Sequence, residues 1–390
     1  MPLSLRKTDR WRRALLVVWL ATGVLVPLAP PAPAAPPRAA ALDAAIVPEG
    51  RAESVHFRFR YDPAKLTPAG IAAAIAAAEQ GYDECARAFP VGGLRRKIEV
   101  NLTPAFVGAT GIADPARHSV AVRVSDLDYL GITLPYVMTH EVAHVFTGAE
   151  LAARGAGRGN PTGPWSEGIA DFTAGGFGDI PLGDWWAAAL RAAGLWADPR
   201  WLVNGSLQPS GVDFVAERAS TYGQAALFIR YLVAEHGRAA FYRFYASYSV
   251  EVARQKAARS RSRLPRSATD RAGIALLFRR HFGADGETLL ARWEARLAGA
   301  EMPVELGKRL ALHQHIYGSV REFEIRYARE AGRGTADEAA AAAARAEFQQ
   351  ANAALRAGDL AAATAHLARA RDLSRPRRSE DGPVVALWKP

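Results

Sequence analysis

The chain has 390 residues, 49% of them hydrophobic and 9% aromatic, enough for two domains or one large two-lobed domain with a substantial core. Its single cysteine, Cys85, excludes an intramolecular disulfide and a cysteine-rich zinc module. The net charge of +10 raises nucleic acid as a partner, but no interleaved aromatics, recognition-helix pattern or phosphate loop accompanies it, so no nucleic-acid partner is expected.

Residues 1–45 read as an export signal followed by an Ala/Pro-rich spacer. A basic head (Arg6, Lys7, Arg10, Arg12, Arg13) precedes the apolar run "ALLVVWLATGVLVPLA" and then "PPAPAAPPRAAA", the layout of a secretory signal peptide. Both Ala32-Pro33-Ala34 and Ala39-Ala40-Ala41 fit a small-x-small cleavage pattern. The expected location is therefore outside the cytoplasmic membrane, in the periplasm, in the cell envelope or secreted, with an uncleaved membrane anchor as the alternative.

Folded structure is expected to begin at "SVHFRFRY", residues 54–61, whose alternation suits a half-buried strand. A long alanine-rich helix capped by Thr67 follows and carries Cys85 in a packing role. "KIEVNLT" and "HSVAVRV" read as strands separated by a Gly-rich loop, "GATGIADPAR". From residue 131 the pattern turns helical, with one helix to about Thr147 stopped by Gly148, and another in "WSEGIADFTA" ending near Gly175 and Gly176. Further helices are expected in 222–237 and in "RAGIALLFRRHFGADGETLLARWEARL". Between them, the basic stretch 254–266 reads as a connection. Such a run can touch an envelope polymer or membrane surface but is more often a solvated loop. The last segment, 301–390, contains a helix, a turn at Gly358 and Asp359, and a second helix, resembling one tetratricopeptide hairpin. One such unit cannot bury its face alone. The expected fold is α+β: a small mixed-sheet N-lobe and a helical C-lobe over 46–300, then the helical tail.

The chemistry concentrates in "YVMTHEVAHVFTG", residues 136–148. In a helix, His140 and His144 share a face and can grip one zinc ion, while Glu141 lies about 100 degrees round the axis. From there it can reach a metal-bound water without being a ligand, and it can act as general base and then acid. A catalytic zinc needs a third protein ligand and an open position. The continuation with a glycine turn and a third histidine fails, because Thr147 and Glu150 occupy those positions. The other solution is a glutamate from a following helix, and Glu167 stands 23 residues after His144. Asp171, four residues further on, is placed to accept the ring N–H of a zinc-bound histidine.

His140, Glu141, His144, Glu167, Gly168 and Asp171 together resemble the gluzincin class, the thermolysin-like or "peptidase MA-like" zinc peptidases. The resemblance spans roughly residues 54–300 and implies a zincin-like fold with the site between the lobes. It also implies one zinc ion and a peptide or protein substrate. "STYGQAALFIRYLVAEHG" is similar to the helix that, in the aminopeptidase N branch, supplies a tyrosine for the tetrahedral intermediate. Carried over, that residue is Tyr222, with Tyr231 and His236 as alternatives. The Gly-x-Met-Glu-Asn segment of that branch has no counterpart, so recognition of a free N-terminus by that route is not expected. By position, "GATGIADPARHSVAVRV" occupies the place of the edge strand that would pair with an extended peptide. The expected function is an exported zinc metallopeptidase; the alternative is a non-catalytic envelope scaffold on a peptidase-like fold.

Overall fold

In the stretch Phe57–Tyr61, Phe57 and Phe59 are buried while Arg58 and Arg60 are exposed. This is the period-two pattern of a strand with one face on a core. The computed structural model describes residues 50–103, 110–124, 127–157, 163–204, 216–262, 268–332 and 334–374. The export signal and spacer, residues 1–45, lie outside them. No described helix is long and apolar enough to cross a membrane.

The protein is a mixed α/β structure, mostly helical, with a small mixed sheet. Strands β1 (Gly50–Glu53), β2 (Phe57–Tyr61), β3 (Ile98–Thr103), β4 (Gly111–Asp114) and β5 (Ser119–Arg123) form a five-stranded sheet in the order β1-β2-β3-β5-β4. β2, β3 and β5 run parallel, and β1 and β4 pair antiparallel at the two edges. Two sequence expectations change here. The first strand of the fold is β1, and Ser54 and His56 lie in the turn after it. The Gly-rich loop contains β4, because "GIAD" pairs with β5 and gains a ladder that its short, weakly patterned sequence does not announce.

Helix α1 (Pro68–Ala88) links β2 to β3, and Thr67 caps it, its hydroxyl accepting from the Gly70 amide at 3.1 Å. Short helix α2 (Leu127–Leu130) precedes α3 (Leu134–Ala153), which packs beside α1 and touches β4 and β5. α3 is apolar on nearly all sides, as a fully enclosed helix must be. It runs past Gly148 to Ala153 because Glu150 and Leu151 are both buried beyond that point. Glu150 binds the Val91 amide at 2.9 Å and Arg154 at 2.6 Å, so tertiary contacts carry the helix through its glycine.

Helix α4 (Pro164–Thr173) follows, then the small hairpin β6 (Gly176–Phe177) and β7 (Ile180–Pro181), and helix α5 (Trp186–Ala192). Helices α6 (Ala216–His236), α7 (Arg238–Ser262), α8 (Ala268–Phe282) and α9 (Gly286–Ala298) complete the middle of the chain. α4 and α6 approach so closely that a Cβ on Gly168 would collide with Ala225. Trp165 fixes α4 against α6 and α7: its ring meets Phe228, Phe241, Phe244 and Tyr248, and its indole N–H donates to Leu202 O at 3.1 Å. Much of the stretch read as a basic connection is the last part of α7; residues 263–266 of it lie outside the described residues.

Helix α10 (Val304–Ala331), which the sequence reading did not assign, packs on α5 and α6. The hairpin α11 (Glu338–Arg356) and α12 (Leu360–Leu373) docks on the main body. The Asn352 amide donates to Tyr129 O at 2.7 Å, the Tyr129 and Phe348 rings lie 6.1 Å apart, and Arg371 donates to Ser319 of α10.

Candidate metal centre

Three side chains from two helices converge. α3 supplies His140 and His144 one turn apart, and α4 supplies Glu167 from its first turn. One donor atom from each lies within 4.8 Å of the others. Glu167 Oε2 is 3.2 Å from His140 Nε2 and 3.5 Å from His144 Nε2. Ligand atoms around a tetrahedral zinc, with bonds of about 2.1 Å, stand about 3.4 Å apart. Two imidazoles and one carboxylate at this spacing therefore fit such an ion.

The opposite ring nitrogens are engaged. His140 Nδ1 donates to Asp171 Oδ1 at 2.9 Å, and the same oxygen accepts from the Tyr136 hydroxyl at 2.8 Å. His144 Nδ1 lies 3.1 Å from the hydroxyl of buried Ser166. The Asp171 carboxylate only accepts, so it favours the His140 tautomer that turns an Nε2 lone pair toward the shared point, and the Ser166 hydroxyl can accept from His144 Nδ1 in the same tautomer. Sequence reasoning found Asp171 and missed Ser166 and Tyr136. Tyr136 carried a signal, since it lies four residues before His140 on the same face. Ser166 carried only its adjacency to Glu167.

Electrostatics add to this. Burial opposes a charged His140, but its hydrogen bonds to Asp171 and Glu167 overcome that and hold its pKa well above the usual imidazole range. Burial would raise Glu167, yet the charge of His144 and the hydrogen bond from His140 hold it well below the usual carboxylate range. A proton and a metal ion thus compete for the same imidazole nitrogens, and acid favours the proton.

Glu141 is buried beside this group and faces the sheet edge. A Cβ built on Gly111, the first residue of β4, would stand 2.5 Å from Glu141 Oε1. Only glycine lets the edge strand pass this carboxylate so closely. Tyr222, on α6, is partly buried and lies three residues before Ala225, where α6 meets Gly168 of α4. Tyr231 lies elsewhere: it stacks on Phe228, and the charges acting on it are those of Glu235, Arg292 and Arg296. His236 packs against Phe282. Of the three residues considered for an oxyanion donor, Tyr222 is the nearest in sequence to Ala225, which meets Gly168 beside Glu167.

No protein-family profile matches the chain, and no curated protein matches its sequence.

Proposed function

We propose that this protein is a zinc metallopeptidase of the gluzincin type, exported from the cytoplasm, with its site between the sheet and the helical lobe. His140, His144 and Glu167 hold one zinc ion. The observation that carries this reading is the joint geometry of the three donors: their Nε2 and Oε2 atoms converge while Asp171 and Ser166 take the opposite ring nitrogens. Zinc bound there would supply Lewis acidity and make a water molecule acidic near neutral pH.

The chain's own residues do the rest. Glu141 removes the proton of the attacking water and delivers it to the leaving amine, and its burial against β4 keeps its carboxylate beside the edge where a peptide would lie. The outer edge of β4 offers backbone N–H and C=O groups to an extended peptide, since among the described residues β4 pairs with β5 alone. Tyr222 donates its phenolic proton to the oxygen that gains charge as the carbonyl is attacked.

Mass spectrometry of the products from a proteome-derived peptide library, with and without chelator, tests the reading. Cleavage that stops on chelation and returns with zinc supports it. A library left intact by protein carrying one zinc per chain overturns it in favour of a scaffold.

A further inference from the structure

Gly131 forms the corner between α2 and α3, and Gly178 lies in the turn of the β6–β7 hairpin that follows α4. Both have positive φ, 71° and 62°, a conformation that favours glycine. They meet beside buried His313 of α10. A Cβ on Gly178 would stand 3.2 Å from Gly131 O and 3.0 Å from His313 Cε1. A Cβ on Gly131 would collide with His313 Nε2 and with Asn352 Oδ1 of α11. Asn352 is also buried, and its Nδ2 donates to Tyr129 O at 2.7 Å. Four segments distant in sequence thus share one close-packed joint.

The joint closes one end of the helix pair that carries the proposed ligands. α3 and α4 run antiparallel, since His140 meets Asp171 while His144 meets Ser166 and Glu167. The start of α3 therefore lies beside the end of α4. Gly131 leads into α3 through Thr133, whose hydroxyl caps the helix by accepting from the Tyr136 amide at 3.3 Å. Phe177, next to Gly178, has its ring 5.4 Å from that of Tyr136 and 5.0 Å from that of His313. Both routes end at Tyr136, which donates to Asp171, the residue that holds His140.

Asn352 enters the joint from the C-terminal hairpin, seated there by Phe348, whose ring lies 6.1 Å from that of Tyr129. Apolar packing alone would dock the hairpin. A buried carboxamide donating to the backbone of the α2–α3 corner also fixes where that corner stands.

We propose that Asn352 is a positioning residue for the metal centre. It holds the entry of α3 against the exit of α4, and so sets His140 and His144 at their distance from Glu167. The C-terminal hairpin is then part of the metal-binding unit. This inference rests on the metal-binding half of the proposed function and does not require hydrolysis.

The test measures zinc affinity by competition with a chelator of known affinity, on the full-length protein and on its Asn352→Leu and Arg371→Ala variants. Leucine is similar in size to asparagine and cannot donate. Arg371→Ala loosens the same hairpin at Ser319 of α10 instead of at Gly131. Denaturant midpoints of the three proteins separate folding from metal binding. Asn352→Leu should lower zinc affinity roughly threefold to tenfold, the scale of one net hydrogen bond, and Arg371→Ala should leave it unchanged. Wild-type affinity in folded Asn352→Leu overturns the inference and leaves the metal site standing. An equal loss in Arg371→Ala also overturns it, because general seating of the hairpin would then be the cause. If Asn352→Leu does not fold, Asn352→Ala, which needs no added room, is read in the same way. Unaltered protein that binds no zinc overturns both the inference and the metal site.

Discussion

Asp171 and His140 are joined at 2.9 Å through Oδ1 and Nδ1, and the Tyr136 hydroxyl reaches the same oxygen at 2.8 Å. A carboxylate held from two sides holds the imidazole in turn, and the outward nitrogen is aimed before any metal arrives.

Asp171→Asn and Ser166→Ala should therefore weaken zinc binding rather than remove a ligand. Each loses one of the supports behind a liganding imidazole, and the expected drop in affinity is about 10- to 100-fold. Competition against a chelator of known zinc affinity reads this directly. Unchanged affinity in both variants would mean that α3 and α4 orient the ligands without these hydrogen bonds.

Gly111→Ala should impair hydrolysis while the zinc content stays at one ion per chain. The added methyl group would stand where the Glu141 carboxylate now lies, and a displacement of about 1 Å at a reacting group can cost on the order of a hundredfold in rate. Metal analysis paired with kcat on a peptide substrate checks both halves. Wild-type kcat would show that Glu141 does not need its place against the edge strand.

These two sites differ in how legible they are. The ligands can be read because a helix repeats: His140 and His144 four apart, and Glu167 and Asp171 four apart, each pair sharing a face before any fold is known. Ser166 has no such spacing, and its role depends on a hydroxyl buried by packing among α4, α6 and α7. Gly111 lies in a segment that reads as a loop, since four residues with a small side chain at either end announce no strand. α7 escapes assignment because its core residues, such as Phe241, Phe244 and Tyr248, are strand formers by propensity. α10 carried a usable signal in Leu310, Tyr317, Val320 and Phe323, which recur at helical spacing. That the same helix returns to elements formed more than a hundred residues earlier is set by long-range packing, which a local pattern does not encode.

Acid should destabilise the fold through His313. This histidine of α10 is buried against Phe177, at 5.0 Å between rings, and burial pushes its pKa down to about 4. Unfolding restores it to the ordinary value near 6.5, so between those pH values the unfolded chain binds more protons and stability falls as pH falls. The difference corresponds to about 3 kcal/mol, fully lost below pH 4. Denaturant midpoints of the full chain at pH 7 and pH 4.5 should differ more than those of His313→Leu. Parallel losses in the two proteins would show that His313 is not the group responsible.

The decisive comparison is peptide hydrolysis by the wild-type protein and by Glu141→Gln at equal, measured zinc occupancy. The amide keeps the shape of the side chain and cannot take a proton, so zinc should remain bound while the rate falls on the order of a thousandfold. A Glu141→Gln protein that binds zinc and cleaves peptides as fast as the wild type would contradict the proposed chemistry.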